Sequence, residues 1–346
     1  MKLLFIGGTG TISAAISRRV LELGWELWHL NRGSRSPDSW GAGSGSGKFH
    51  QINCDISNAE EAAGKLAGLE FDVVADFIAF KPGDVERDYR FFRGKTRQYI
   101  FISSASAYQK PLSSCYITES TPLSNPYWEY ARQKIACEEF LVKVYREEGF
   151  PITIVRPSHT YDERKIPVGV HGKKGSWQVV KRIIEGKPVI IQGDGTSLWT
   201  VTFASDFAKA FTGLTGNIHA IGEAVQITSD ESLSWNQIYK TIADALGKPL
   251  KAVHVPSEFL AKAGPEYDYN GSLNGDKAVS VIFDNTKLKR LVPGFCAQVR
   301  FDQGIRDAVA YMLSHPELQV EDPDFDLFCD RVITAMDHAL NEVHAL

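Results

Sequence analysis

The stretch Leu3-Leu4-Phe5-Ile6-Gly7-Gly8-Thr9-Gly10-Thr11-Ile12-Ser13 decides the fold. Four apolar residues read as a short buried strand and run directly into a glycine-rich turn. Beyond it Ile12, Ala15, Ile16, Val20 and Leu23 recur at helical spacing until Gly24 supplies a C-terminal stop. Where no Cβ intrudes, a phosphate can approach backbone N–H groups closely, and a helix N-terminus adds partial positive charge. Gly7, Gly8, Thr9, Gly10, Thr11 and Ile12 therefore read as a dinucleotide-phosphate turn, against the alternative of a plain tight turn. The third glycine of such a turn is replaced by Ser13, still small enough for helix–sheet packing.

Strand and helix patterns alternate outward from this stretch. Residues 26–30, 49–52, 72–80, 98–102 and 151–155 read as strands. A capping-box sequence, Ser57-Asn58-Ala59-Glu60, opens a helix to about Leu69, and Tyr130 to Glu148 has helical periodicity. Such alternation predicts an α/β fold, a Rossmann-like doubly wound parallel sheet, with a smaller, discontinuous C-terminal substrate lobe. The expected division is 1–160 for the nucleotide-binding domain, with some later segments returning to it, 161–315 mainly for the substrate lobe, and 316–346 for an acidic linker and a C-terminal helix. Helices are expected at 179–185, 235–246 and 304–313. The run Gly41-Ala42-Gly43-Ser44-Gly45-Ser46-Gly47 reads as a mobile loop.

With 43% apolar and 23% charged residues the composition is that of a globular protein rather than a disordered chain. A net charge of −4 argues against a dedicated DNA-binding protein. The five cysteines form no Cys-x-x-Cys pair, so neither a disulfide framework nor a metal site is expected. No apolar run is long enough to span a bilayer, and the opening run is too short for a signal peptide. A cytoplasmic location follows as the expectation.

The second strand ends at Asn31-Arg32-Gly33-Ser34-Arg35. An acidic residue here would accept hydrogen bonds from the ribose hydroxyls of NAD; instead Arg32, with Arg35, offers a planar cation for a 2′-phosphate, so NADP is favoured modestly over NAD. The plainer alternative is two solvated arginines. Asp55, past the third strand, faces either the adenine amino group or its own turn. Further on, Ser103-Ser104-Ala105-Ser106 closes a strand, and Tyr130 and Lys134 share a helix face at i, i+4. An ammonium beside a phenol lowers its pKa towards the range useful for proton transfer, and Ser104 could polarise a reacting oxygen. Tyr-x-x-x-Lys alone usually marks an ordinary helix face; behind a glycine turn and a serine-rich strand end it is far more specific.

In these motifs the chain resembles the extended short-chain dehydrogenase/reductases, the NAD-dependent epimerase/dehydratase family, over roughly residues 1–315. Arg156-Pro157-Ser158-His159, Gly193-Asp194-Gly195-Thr196 with Asp206, and Asp284-Asn285-Thr286-Lys287 are similar to later family elements. The resemblance implies Tyr130 as acid/base, Lys134 as ribose holder, Ser104 as the polarising hydroxyl, Ala79 and Pro157 as further cofactor contacts, and Ser106, His159 and Trp199 on the substrate. It also implies a homodimer through the long helices. The pattern departs after Gly-Asp-Gly, where members acting on nucleotide-diphosphate sugars carry an arginine and this chain has Leu198-Trp199. Residues 164–187 hold a local basic excess, which reads as a site for an anionic substrate, for RNA, or as a solvated face. The expected function is an NAD(P)-dependent oxidoreductase or epimerase acting on a sugar-like or other hydroxylated anionic metabolite. The alternative is a nucleotide-sensing or RNA-binding protein similar to the chloroplast stem-loop-binding branch.

Overall fold

A computed structural model describes residues 1–37, 41, 43 and 45–345. In chain order the elements are β1 (Lys2–Ile6), α1 (Thr11–Glu22), β2 (Glu26–Asn31), β3 (Lys48–Asn53), α2 (Ala59–Leu66), β4 (Phe71–Asp76), α3 (Pro82–Phe92), β5 (Thr96–Ile102), a short β6 (Tyr116–Ile117), α4 (Glu129–Glu148) and β7 (Ile152–Pro157). They continue with β8 (His159–Tyr161), α5 (Trp177–Ile184), β9 (Val189–Gln192), β10 (Leu198–Trp199), β11 (Val201–Phe203), α6 (Ala204–Leu214) and β12 (Ala224–Ile227). Helices α7 (Trp235–Ala245), α8 (Ser257–Ala263), α9 (Thr286–Leu291), α10 (Phe301–Ser314) and α11 (Pro323–His344) follow.

Seven strands form one parallel sheet in the order β12-β7-β5-β4-β1-β2-β3. A parallel sheet is covered on both faces, which is why Leu3, Leu4, Phe5 and Ile6 are an unbroken apolar run and are all fully buried. Leu3 and Phe5 pack with Ile16 and Val20 of α1 and Phe207 and Phe211 of α6; Leu4 and Ile6 pack on the other face with Val85 of α3 and Leu141 of α4. Each such side chain contributes about 1.5–3 kcal/mol by leaving water. Strand order reverses at β1, which pairs with β2 on one side and β4 on the other. The crevice beyond the strand ends at such a reversal is where this architecture binds ligands. A third apolar cluster lies off the sheet and joins α5, α7, α10 and the first turns of α11.

Several local expectations are corrected. Strand β4 stops at Asp76 rather than Phe80, because the Asp76 carboxylate accepts the Ile78 and Ala79 N–H groups and turns the chain. Helix α3 was not foreseen; Pro82 opens it, and the Asp84 carboxylate accepts the Phe80 and Lys81 N–H groups. Helix α2 is capped by Asn58 against Glu61, one residue later than the capping box suggested, and ends at Leu66; the Ser57 hydroxyl bonds Asp55 instead. In the glycine run, Ala42 and Ser44 lie outside the described residues. Gly45 and Gly47 are packing glycines rather than loosening ones: a Cβ on Gly45 would meet Leu21 O at 2.4 Å, and one on Gly47 would meet Trp25 O at 2.4 Å.

The acidic tail is not a solvated linker. Asp322 is buried, caps α11 through the Phe325 N–H and accepts the Lys174 N–H. Asp326 and Asp330 clasp the fully buried guanidinium of Arg182, both at 2.7 Å, and Glu321 pairs with Lys181 at 2.5 Å.

Candidate active site

The glycine turn is built as the sequence suggested and is stitched in a way it did not suggest. Gly7 has φ +81°, which favours glycine, and a Cβ on Gly8 would lie 2.3 Å from the His29 imidazole. His29 is a core residue, lowered to about 3 by burial and held by the Ser17 hydroxyl at 2.8 Å. Ser13, in the place of the third glycine, accepts from Gly10 N–H and donates to Gly7 O, both at 2.9 Å, so its hydroxyl fastens the turn.

Over this turn opens a cavity of about 710 Å³ lined by Gly7, Thr9, Gly10, Thr11, Ile12 and, from the ends of β2 and β3, Asn31, Arg32 and Asp55. Its size, backbone donors and apolar walls at Phe77 and Ile78 fit a dinucleotide. Gly8 faces the core, and Ala79 is buried and gives its carbonyl to Lys134, so neither forms the cavity wall. Arg32 is exposed on the rim. Arg35 donates to Thr9 O at 2.6 Å and so leans over the turn itself. Asp55 lines the cavity and accepts from the Ser57 N–H and hydroxyl of its own turn, which hold its carboxyl below the usual range. Arg87, not foreseen, lines the same cavity, fixed by Asp84 and Asp88 at 3.3 and 2.9 Å.

A second cavity of about 370 Å³ meets the first at Thr11 and Ile12 and holds Ser104, Ser106, Tyr130, Pro157, His159 and Trp199 together. Ser104 and Ser106 share a 2.8 Å hydrogen bond. Tyr130 stands at the start of α4 between the rings of Trp128 and Phe80, 4.9 and 6.1 Å away. The phenol is pushed up rather than down: burial raises it, the Ser104 hydroxyl opposes, and Asp276 raises it further. Lys134 does not deliver the expected pull, because its ammonium is bound to Ala79 O and Ile102 O, each at 2.7 Å, and stacked over Phe80 and Phe101. Burial lowers that ammonium to about 8, so it is charged at neutral pH and sits 5.8 Å from the Tyr130 ring centroid.

The rest of this cavity's wall went unseen in the sequence. Trp128, Lys165, His171, Asp276 and Lys277 all line it. Asp276 and Lys277 close a π-helical turn, Asn270–Lys277, that packs over Trp128, where a Cβ on Gly271 would meet the indole at 2.0 Å. The one signal available was its composition: two glycines and four other polar residues ahead of Lys277 with no apolar period.

A family model described as "NAD dependent epimerase/dehydratase family" matches residues 3–227. The chain belongs to that family. Across the epimerase/dehydratase family it is 25% identical to 2'-dehydrokanamycin reductase of Streptomyces kanamyceticus, over 85% of this chain and 80% of the relative. It is 26% identical to the chloroplast stem-loop binding protein of 41 kDa b of Arabidopsis thaliana, over 81% and 74%. Among solved structures, UDP-glucuronic acid 4-epimerase from Bacillus cereus in complex with NAD shares the fold with a TM-score of 0.70 at 18% identity, covering 91% of this chain and 99% of that one. Membership places the chain among NAD-dependent oxidoreductases and epimerases.

Within the family the basic stretch is accounted for mainly by internal pairing. Arg164 is bound by the buried Asp162, Lys181 by Glu321, Arg182 by Asp326 and Asp330, and Lys187 by Asp326 and Glu185. Asp326 and Asp330 of α11, with Glu321 just before it, cancel part of the basic excess that suggested RNA. No helix among the described residues is long and apolar enough to cross a membrane.

Proposed function

We propose that this family member is an NAD(P)-dependent oxidoreductase or epimerase that interconverts a hydroxyl and a carbonyl on a sugar-like metabolite. The observation that carries this is the meeting of two cavities at Thr11 and Ile12, one with the backbone of a dinucleotide site and the other with Tyr130 and Ser104 in its wall. A nicotinamide dinucleotide in the first cavity supplies the hydride acceptor and donor. Tyr130 moves the proton at the substrate oxygen. With its pKa raised, the phenol keeps its proton at neutral pH, the form that carbonyl reduction needs; the relative named a reductase supports the same direction. Ser104 donates a hydrogen bond to that oxygen and fixes its orientation. Lys134, buried and anchored on the Ala79 and Ile102 carbonyls, ties the two strand ends together beside Tyr130 and lines neither cavity, so its role in this reading is to position Tyr130.

Purified protein loaded with NADPH or NADH and offered a panel of keto sugars tests this reading. Tyr130→Phe should lower kcat about 10²- to 10⁴-fold with cofactor affinity within twofold; turnover that survives it removes the phenol from the chemistry. Arg32 on the rim supports NADP over NAD. Arg32→Ala should raise the Kd of NADPH at least fivefold more than that of NADH, and equal effects would remove the 2′-phosphate role.

A further inference from the structure

The second cavity carries a charge pattern that proton transfer at Tyr130 does not use. Its ionisable wall is Lys165, Lys277 and Asp276, with the imidazoles of His159 and His171. Both imidazoles are held neutral by burial, and Lys165 and Lys277 push in the same direction. His171 Nδ1 donates to Gly172 O at 2.8 Å, which fixes its tautomer. The lysines and Asp276 are therefore what set the charge.

Lys277 is buried, donates to Ser272 O at 3.1 Å and lies 3.5 Å from Asp276. Among the described residues no carboxylate comes within ion-pair distance of the Lys165 ammonium. Lys165 is exposed and lines the cavity. Two ammoniums against one carboxylate leave the cavity positive. The donors agree with the charge. Trp199 is 2% exposed, stacks on Trp235 at 6.3 Å, and its Nε1–H, which can only donate, has no partner. A buried donor without a partner costs about 1–3 kcal/mol, a cost that an oxygen reaching it would recover.

We propose that this cavity receives a compact anion carried by the substrate, a carboxylate or a phosphate monoester, bound by Lys165 and Lys277 with Trp199 Nε1 as a third donor. The inference rests on the reading of Tyr130 and Ser104 as the reacting end of the same cavity. It makes the substrate a sugar acid or sugar phosphate, and Trp199 a hydrogen-bond donor to its anionic group.

The test uses the full chain saturated with NADP⁺, so that the phosphate-binding turn is filled, and calorimetric titration at low ionic strength. The probes are inorganic phosphate, glucuronate and glucose 6-phosphate, with glucose and glucosamine as uncharged and cationic comparators. Phosphate and at least one acidic sugar should bind at least tenfold more tightly than glucose or glucosamine. Lys165→Met and Lys277→Met, which keep the stem and remove the charge, should each weaken that binding tenfold or more. Trp199→Phe, which keeps the stack, should weaken it at least threefold. Lys173→Met with Lys174→Met, exposed residues of the same basic stretch outside the cavity wall, should change nothing. Should Lys277→Met fail to fold, Lys165→Met and Trp199→Phe, on other segments, still decide. Unchanged anion affinity in those variants, or comparators that bind as tightly as the acids, overturns the proposal. Turnover that survives Tyr130→Phe would remove the phenol from the chemistry and leave the anion site standing, since these binding measurements do not depend on it.

Discussion

The two cavities that meet at Thr11 are built by different means. The dinucleotide side is made of backbone: a turn with Gly7 at positive φ, the first turn of α1, and the ends of consecutive parallel strands. The substrate side is made of side chains from segments far apart in sequence, Ser104, Tyr130, His159, Lys165, Trp199 and Lys277. A backbone site requires glycine at fixed places, and those glycines can be read directly. A side-chain site imposes no local rule, so its residues are individually ordinary and become a site only through the fold.

The same contrast predicts where substitutions hurt, and the largest effect on stability lies on the substrate side. Arg182 is fully buried beneath α11, and Asp326 and Asp330 close on it. Arg182→Ala leaves a cavity and strands two carboxylates, and because both carboxylates keep some solvent the cost is about 2–3 kcal/mol rather than the 3–5 of a wholly buried pair. Chemical denaturation should show this loss with α11 detached, seen as faster proteolysis within residues 323–344. An unchanged midpoint would mean that α11 docks through Phe325 and Val332 alone.

That result bears on how much was legible. The α/β class, six of the seven sheet strands in outline, helix α4 and the glycine turn follow from apolar runs and helical spacing, because a parallel sheet buried on both faces leaves long apolar strings. The return of α6 and β12 to the sheet leaves no such mark; their residues resemble any other helix and strand, and it is the packing of Phe207 and Phe211 on β1 that places α6 and the pairing with β7 that places β12. The tail misled for a related reason. Its acids look solvated in isolation, and their partners Lys181, Arg182 and Lys187 lie about 140 residues earlier. Tyr130, Ser104 and Lys134 could be found because they form a pattern together, whereas Asp276 and Lys277 had only an irregular, glycine-bearing segment to announce them.

On the dinucleotide side, two neighbouring glycines separate packing from ligand contact. Gly8→Ala drives a methyl into the His29 ring and should destabilise the fold by about 1–3 kcal/mol, with dinucleotide affinity falling as the turn shifts. Gly10→Ala meets nothing nearer than Ser13 Oγ at 3.5 Å. It should leave the melting temperature within about 1 °C, well inside the 2–4 °C that 1 kcal/mol moves in a large domain, while weakening NADPH binding. If Gly10→Ala leaves binding intact, the phosphate does not approach that residue and the turn is read too literally.

The smallest effect tests the one departure in the turn. If Ser13 merely fills a glycine's place, Ser13→Gly would restore the usual pattern and improve the site. The geometry argues the reverse: its hydroxyl ties Gly10 N–H to Gly7 O, and at the third position of α1 glycine also adds backbone entropy to the unfolded chain. Ser13→Ala isolates the hydrogen bonds and should cost about 1 kcal/mol, and Ser13→Gly somewhat more. Both should loosen NADPH by threefold or less, since Gly10 N–H would then be free to donate to phosphate and would offset part of the lost order. A gain in affinity for Ser13→Gly with no loss of stability would show that the serine competes with the ligand for that N–H, and the backbone side of the comparison would then contain a side-chain decision of its own.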